Sequence, residues 1–271
     1  METGLKPPFS QEQLTEHLRA MGVVEGSTFM PHTSLKAIRP VVGGPETIVR
    51  SMIDAVGPQG TVVFPAFTFS YCKTGQWDRV TTPSEMGVIT EVARNWPGSH
   101  RSLHPIYSVA VIGAKAEEYG ACCDPNGVGD DSPFALLERD NAIFGLLGVG
   151  YNQGIVAGHR LEWQLAVDYR LVKVFPGDVT DGGIPRPGDY SMLVRSLDDN
   201  VVTDFRKLGY MLEHVGAMQV GRYGWSIART VCASEFRTNA ARWLGERVPN
   251  LMHRTDAVEA FEEKPVELLT L

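Results

Sequence analysis

Cysteine is scarce in this chain. Four occur in 271 residues, Cys72, Cys122, Cys123 and Cys232, and none are in C-x-x-C spacing. That excludes a zinc-ribbon site and an ordinary disulfide framework, and it makes a reducing cytoplasm the expected location. No apolar run approaches the ~20 residues needed to span a bilayer. The opening METGLKPPFSQEQLTEHLRAMG also lacks the apolar core of a secretory signal. No block of five like charges occurs, and the net charge is −7. Without a basic stripe to neutralise phosphates, nucleic acid is not an expected partner, and no membrane is either. An H-E-x-x-H zinc motif is missing too, so no metal is expected. Internal repeats and low-complexity tracts are also lacking.

What is present reads as an ordinary globular α/β chain. The hydrophobic fraction is 43% and the charged fraction 21%, enough for a substantial core at this length. Ser10 followed by Gln13 makes a capping box for a helix running to about Met21, with Leu14, Leu18 and Met21 on its apolar face. Ser27 to Met30 reads as a strand, and Pro45-Glu46 opens a helix over Thr47 to Val56. Apolar strands at 61–67, 107–113, 143–149 and 171–175 alternate with helices at about 86–96, 114–122 and 133–139. Two more helices follow at 204–214 and 234–244. The alternation predicts a three-layer α/β/α sandwich with a largely parallel central sheet and a C-terminal helical layer. The Gly-, Pro- and Asp-rich stretch from Pro176 predicts a loop-rich insertion over 176–200 inside a single domain, 1–271.

The stretch IFGLLGVGYNQGIVAGHRLEWQLAVDY, residues 143 to 169, carries the chemistry. A buried strand ends in Gly148-Val149-Gly150, a polar turn follows, and then a helix with His159 and Glu162 three residues apart. That spacing puts both on one helical face, where they can touch. Histidine titrates near neutrality, so a carboxylate beside it makes a general base with its orienting group. A ping-pong route through one of the cysteines has no support in sequence, because none has a His or Arg neighbour to lower its pKa.

Three blocks in fixed order are similar to one family: HTSLKAIRPVVGGPETIV (32–49), MGVITEVARNWPGSHRSLHPIYSVAVIG (86–113), and LLGVG (146–150) followed by His159-x-x-Glu162. Together with DFRKLGYMLEHVG, GRYGWSIAR and the helix at 234–244, they resemble the aminoglycoside 3-N-acetyltransferases, the antibiotic N-acetyltransferases outside the GNAT class. The resemblance implies an α/β/α fold and transfer of an acetyl group from acetyl-CoA to an amine, with His159 as base and Glu162 orienting it. It implies coenzyme A contacts at His32, Thr33, Ser34, Leu35, Val42, Gly43 and Gly44, and at Ser102, His104 and Ser108. The expected acceptor is an aminoglycoside or a related small amine, and an acyl carrier protein is the alternative donor. A homodimer is compatible with the resemblance, as is a non-catalytic member that binds coenzyme A or an antibiotic. The family often carries Thr shortly before the His. Residues 154–158 here have no hydroxyl, which implies a more apolar acceptor pocket.

Overall fold

A computed structural model describes residues 6–186, 188–196, 201–245 and 253–254. A seven-stranded sheet organises them, in the spatial order Gln219–Tyr223, Ser226–Cys232, Ile143–Leu147, Thr28–Thr33, Thr61–Pro65, Val109–Gly113, His100–Arg101. Each strand's two-residue period separates its side chains to opposite faces. Phe29, Val62, Phe64, Ala110, Ile112 and Leu147 join one apolar cluster, and Met30, Val63, Val109, Val111, Phe144 and Leu146 join the other. The first cluster is closed by the helices Gln11–Ala20, Pro45–Val56 and Val88–Arg94. The second is closed by Pro133–Arg139, Ala157–Gln164, Arg206–His214 and Ala233–Gly245. The layering is therefore helix, sheet, helix. The capping box at Ser10 and Gln13 forms as its spacing demands.

The sheet is mixed, which corrects the expectation of a largely parallel one. Only Thr28–Thr33 with Ile143–Leu147 and Thr28–Thr33 with Thr61–Pro65 pair in parallel; the other four pairings are antiparallel. Two local devices reverse the chain. The short edge strand His100–Arg101 folds back onto Val109–Gly113 through a tight loop. At the other end Gly224, with φ of +60°, turns Gln219–Tyr223 into Ser226–Cys232, a backbone region that favours glycine. The strand at Arg170–Val174 lies outside this sheet and pairs antiparallel with Ser191–Arg195. The 176–200 segment is thus not all loop. It also carries Asp178–Asp181 and Ile184–Pro185, which join Gln76–Asp78 in a small third sheet. Residue 187 and residues 197–200 lie outside the described residues.

One edge of the central sheet collects the sequence blocks singled out above. The three parallel strands deliver their C-terminal ends there, with Thr33 opposite Leu147. The antiparallel neighbour Val109–Gly113 begins at that edge, with Val109 opposite Pro65. The turns after Thr33 and Leu147 and the loop before Val109 therefore share one end of the sheet, the end where α/β folds place ligands.

Candidate active site

His159 and Glu162 meet as the helical spacing requires. The His159 Nδ1 lies 2.7 Å from Glu162 Oε2. The carboxylate is fully buried and the His159 side chain is 18% exposed. A carboxylate can only accept, so Nδ1 carries a proton, and in the neutral ring Nε2 is the nitrogen with the free lone pair. Among the described residues nothing occupies Nε2, and His159 forms part of the wall of a cavity of about 570 Å³. The buried carboxylate has a second partner: Arg170 Nε stands 3.1 Å from the same Oε2. A buried charge needs such compensation. Tyr169 lies against Glu162 as well. Burial first, then the Glu162 charge, push its hydroxyl pKa up, so the phenol stays protonated.

Several contacts fix the helix that carries His159. Arg160, buried on the opposite side, donates Nη1 to Val128 O at 2.9 Å, Nη2 to Asp130 at 2.9 Å and Nε to Glu138 at 3.2 Å. The turn before it, Tyr151–Gly154, is held at Tyr151 by Glu213, which also takes Arg229 Nε at 2.7 Å. Asn152 Oδ1 accepts from the Phe205 amide at 2.7 Å, and the Phe205 ring meets His159 edge-on, centroids 5.3 Å apart. A Cβ on Gly158 would come within 2.6 Å of that ring. At Gly158, the last of the residues without a hydroxyl before His159, a larger side chain would therefore have to displace Phe205. Asp130, which could have attracted a cation from solvent, instead accepts from Arg160, and Ser132 caps the helix that follows.

His32 ends the central strand on the face shared with Met30, the face covered by the His159 helix. It is buried, with its Cβ close to Gly154, and neither ring nitrogen has a hydrogen-bond partner. Burial pushes its pKa down to about 4, so it is neutral at pH 7. Thr33, Ser34 and Leu35 follow it, half-buried, with the Ser34 amide donating to Leu147 O at 3.0 Å. Val42 is exposed, and Gly43 and Gly44 have φ of +75° and +69°. The turn alone demands both glycines. Glu46 stands in the first turn of the helix they open, which works against a phosphate there.

The loop entering Val109 is built differently. Ser102, His104 and Ser108 are all buried. His104 Nδ1 accepts from the amides of Ile106 and Tyr107 at 3.2 and 2.9 Å, and its Nε2 faces Pro125 O at 3.3 Å. Ser102 Oγ accepts from the Val109 amide at 2.9 Å. Ser108 Oγ donates to Ala66 O at 2.8 Å and accepts from Arg101 Nε at 3.1 Å. These polar atoms are committed to the loop itself. Cys122 is half-buried with its thiol pushed up to about 12, and burial also raises Cys72. Neither is a thiolate at neutral pH, which removes them as acyl-accepting nucleophiles.

Sequence reasoning missed Arg170, Arg160, Tyr169 and Phe205. The available signal for Arg170 was an arginine opening a strand eight residues past Glu162, but no spacing rule reads across that turn. Among the described residues no cluster of His, Cys, Asp and Glu could hold a metal, and no helix is long and apolar enough to cross a membrane.

The described residues thus form a layered α/β fold with a carboxylate-bonded, partly exposed imidazole in the wall of a cavity. Comparison with known proteins makes this specific. The family described as Aminoglycoside 3-N-acetyltransferase matches residues 30–245, and the chain belongs to that family of acetyltransferases. It is 28% identical over 200 residues to aminoglycoside N(3)-acetyltransferase III of Pseudomonas aeruginosa, covering 67% of this chain and 73% of that one. It is 34% identical over 152 residues to aminoglycoside N(3)-acetyltransferase VII of Streptomyces paromomycinus, covering 48% and 52%. The matched regions thus span about half to three quarters of these relatives. The solved structure of AAC-IIIb with CoASH superposes with a TM-score of 0.78 at 23% identity, covering 90% of this chain and 99% of that one. AAC-VIa bound to sisomicin gives 0.77 at 23%, covering 89% and 99%.

Proposed function

We propose that this chain is a coenzyme-A-dependent N-acetyltransferase in which His159 is the general base. One observation carries the reading: a histidine whose Nδ1–H is held by a buried carboxylate at 2.7 Å presents its other nitrogen to a cavity. An ammonium has no lone pair and must lose a proton before it attacks. His159 Nε2 takes that proton, and Glu162 fixes the tautomer and stabilises the imidazolium. The amine nitrogen then bonds to the thioester carbonyl carbon, and the C–S bond breaks. The departing thiolate receives the proton from Nε2, and the restored imidazole takes the second proton from the acylated nitrogen and passes it to solvent, so a neutral amide and a free thiol leave and no acyl-enzyme forms. Acetyl-CoA is the donor this reading takes, supported by the CoASH bound to the similarly folded AAC-IIIb. In the 32–44 region His32 has two unpartnered ring nitrogens at the shared sheet end, though they are buried, and donor contact there is part of this reading. The acceptor is a primary amine of small-molecule size, and the whole chain is read as one catalytic domain.

The test is release of free coenzyme A thiol from acetyl-CoA across a panel of amines, wild type against His159→Ala. Turnover falling by about 100-fold or more with an unchanged melting temperature supports the base. Unchanged turnover removes His159 from the role. No thiol release with any amine moves the donor to a carrier-protein thioester, or the chain to binding without turnover.

A further inference from the structure

Resting on the transferase reading above, we propose that the acceptor is an amine carrying an anionic group on an apolar body, and that the cavity beside His159 selects it by charge. The cavity runs from His159 along the two-stranded sheet of Arg170–Val174 and Ser191–Arg195. Apolar side chains make most of its wall, among them Leu171, Phe175 and Met192. The charged residues in the wall are cationic: Arg170, Lys173 and Arg195. No aspartate or glutamate among the described residues lines it. In a chain of net charge −7 this is a local reversal of sign.

The three cations are not equivalent. Arg170 is matched by Glu162 at 3.1 Å, so it contributes little net charge to the cavity. Lys173 and Arg195 have no carboxylate partner among the described residues. The Lys173 ammonium lies over the Phe175 ring, 5.2 Å from its centroid, which holds it at the cavity wall. Arg195 donates Nη1 to Val201 O at 2.8 Å and is neutralised by nothing there. Arg195 also stands directly opposite Arg170 across the strand pair, where Glu162 already offsets the Arg170 charge and leaves that of Arg195. Glu162, which touches two residues of the wall, is already committed to His159 and Arg170. A polycation would meet uncompensated repulsion in this wall. A carboxylate or phosphate some ångströms from the reacting amine would meet an unpaired cation on either face of the strand pair, Lys173 on one and Arg195 on the other, and an apolar surface for the chain leading to it.

The experiment compares three amines: 8-aminooctanoate, its methyl ester and sisomicin. Each is assayed with acetyl-CoA for thiol release and titrated calorimetrically onto the protein in the presence of coenzyme A. We expect the carboxylate to be favoured over its ester by about ten-fold or more in affinity and in kcat/KM, and Lys173→Glu and Arg195→Glu to invert that ratio. A wild type that prefers the ester or sisomicin overturns the proposal, and so does a ratio that neither variant moves. If Lys173→Glu weakens coenzyme A itself by ten-fold in the absence of any amine, the cations hold the donor's phosphates, and the proposal also fails. Charge-selective binding without thiol release would break the transferase reading and leave the pocket assignment standing. Transfer to sisomicin with indifference to the carboxylate would do the reverse.

Discussion

Two stretches at the same sheet edge are equally rich in chemically capable side chains, yet they serve opposite ends. The loop from His100 to Ser108 buries an arginine, a histidine and two serines, and their polar atoms bond to backbone or to one another. The helix Ala157–Gln164 also carries a buried charge, but one histidine nitrogen is left over and faces a cavity. His104 and His159 differ in this remainder, not in residue type. A buried polar group with all partners supplied stabilises a fold. One whose last valence opens on a cavity is available to a reaction.

The sharpest way to break this comparison is to delete each imidazole. His159→Ala should lower kcat by about 10²- to 10⁴-fold, with its melting temperature close to wild type. His104→Ala should instead strand the Ile106 and Tyr107 amides, at about 1–3 kcal/mol for each buried donor left unsatisfied. Chemical denaturation gives the second effect and steady-state kinetics the first. If the folded His104 variant lost turnover as severely as the His159 variant, the loop would belong to the reaction after all. Glu162→Ala should do both kinds of damage, because it frees the imidazole and strands Arg170 in the interior. We expect about 3–5 kcal/mol of lost stability for an unmatched buried charge, alongside a large fall in kcat. Glu162→Gln, which retains an acceptor, should recover part of the turnover but not the pairing with Arg170.

Acid should act on the committed and uncommitted histidines together. Burial lowers both His32 and His104 to about 4, against 6.5 in an unfolded chain. Between those values the unfolded state binds more protons, so stability is full above pH 6.5 and falls as pH drops toward 4. For each group the loss reaches about 3 kcal/mol at the low end. Unfolding free energy measured from pH 7 to pH 4 should therefore fall less steeply in His32→Leu, by up to one proton's worth of slope. At pH 7 that variant should fold at least as well as wild type, since it removes two unsatisfied nitrogens. A raised KM for acetyl-CoA in the same variant would be the mark of donor contact. Unchanged slope and unchanged KM would remove both assignments.

Much of the fold was legible because local signals agreed with one another. The Ser10–Gln13 capping box, the Pro45 helix start and the apolar runs that became the central strands all formed. The His159–Glu162 contact was legible because helical spacing alone puts those side chains together. Strand direction was not. Parallel and antiparallel neighbours present the same apolar alternation, and the reversals here rest on a two-residue edge strand and on one glycine turn. Arg170 was illegible for a related reason. Its distance to Glu162 depends on how the chain turns between a helix and a strand outside the central sheet, and no periodicity crosses that turn. The loop at 100–108 shows the limit from the other side. Sequence displays which side chains can bind a ligand, but not whether the backbone has already claimed them.

The smallest effect tests that last point most directly. Ser102→Ala removes the acceptor for the Val109 amide while leaving the bond from the Ser102 amide to Val109 O at 3.0 Å in place. A single neutral hydrogen bond of this kind is worth about 1 kcal/mol, so the variant should unfold at slightly lower denaturant with an unchanged slope. Its KM for acetyl-CoA should match wild type, because Ser102 is fully buried and its hydroxyl already serves the loop. A ten-fold rise in that KM without loss of stability would mean that the hydroxyl turns outward when the donor binds. The loop would then stand beside the His159 helix as part of the site, and the contrast between committed and available side chains would have to be drawn elsewhere.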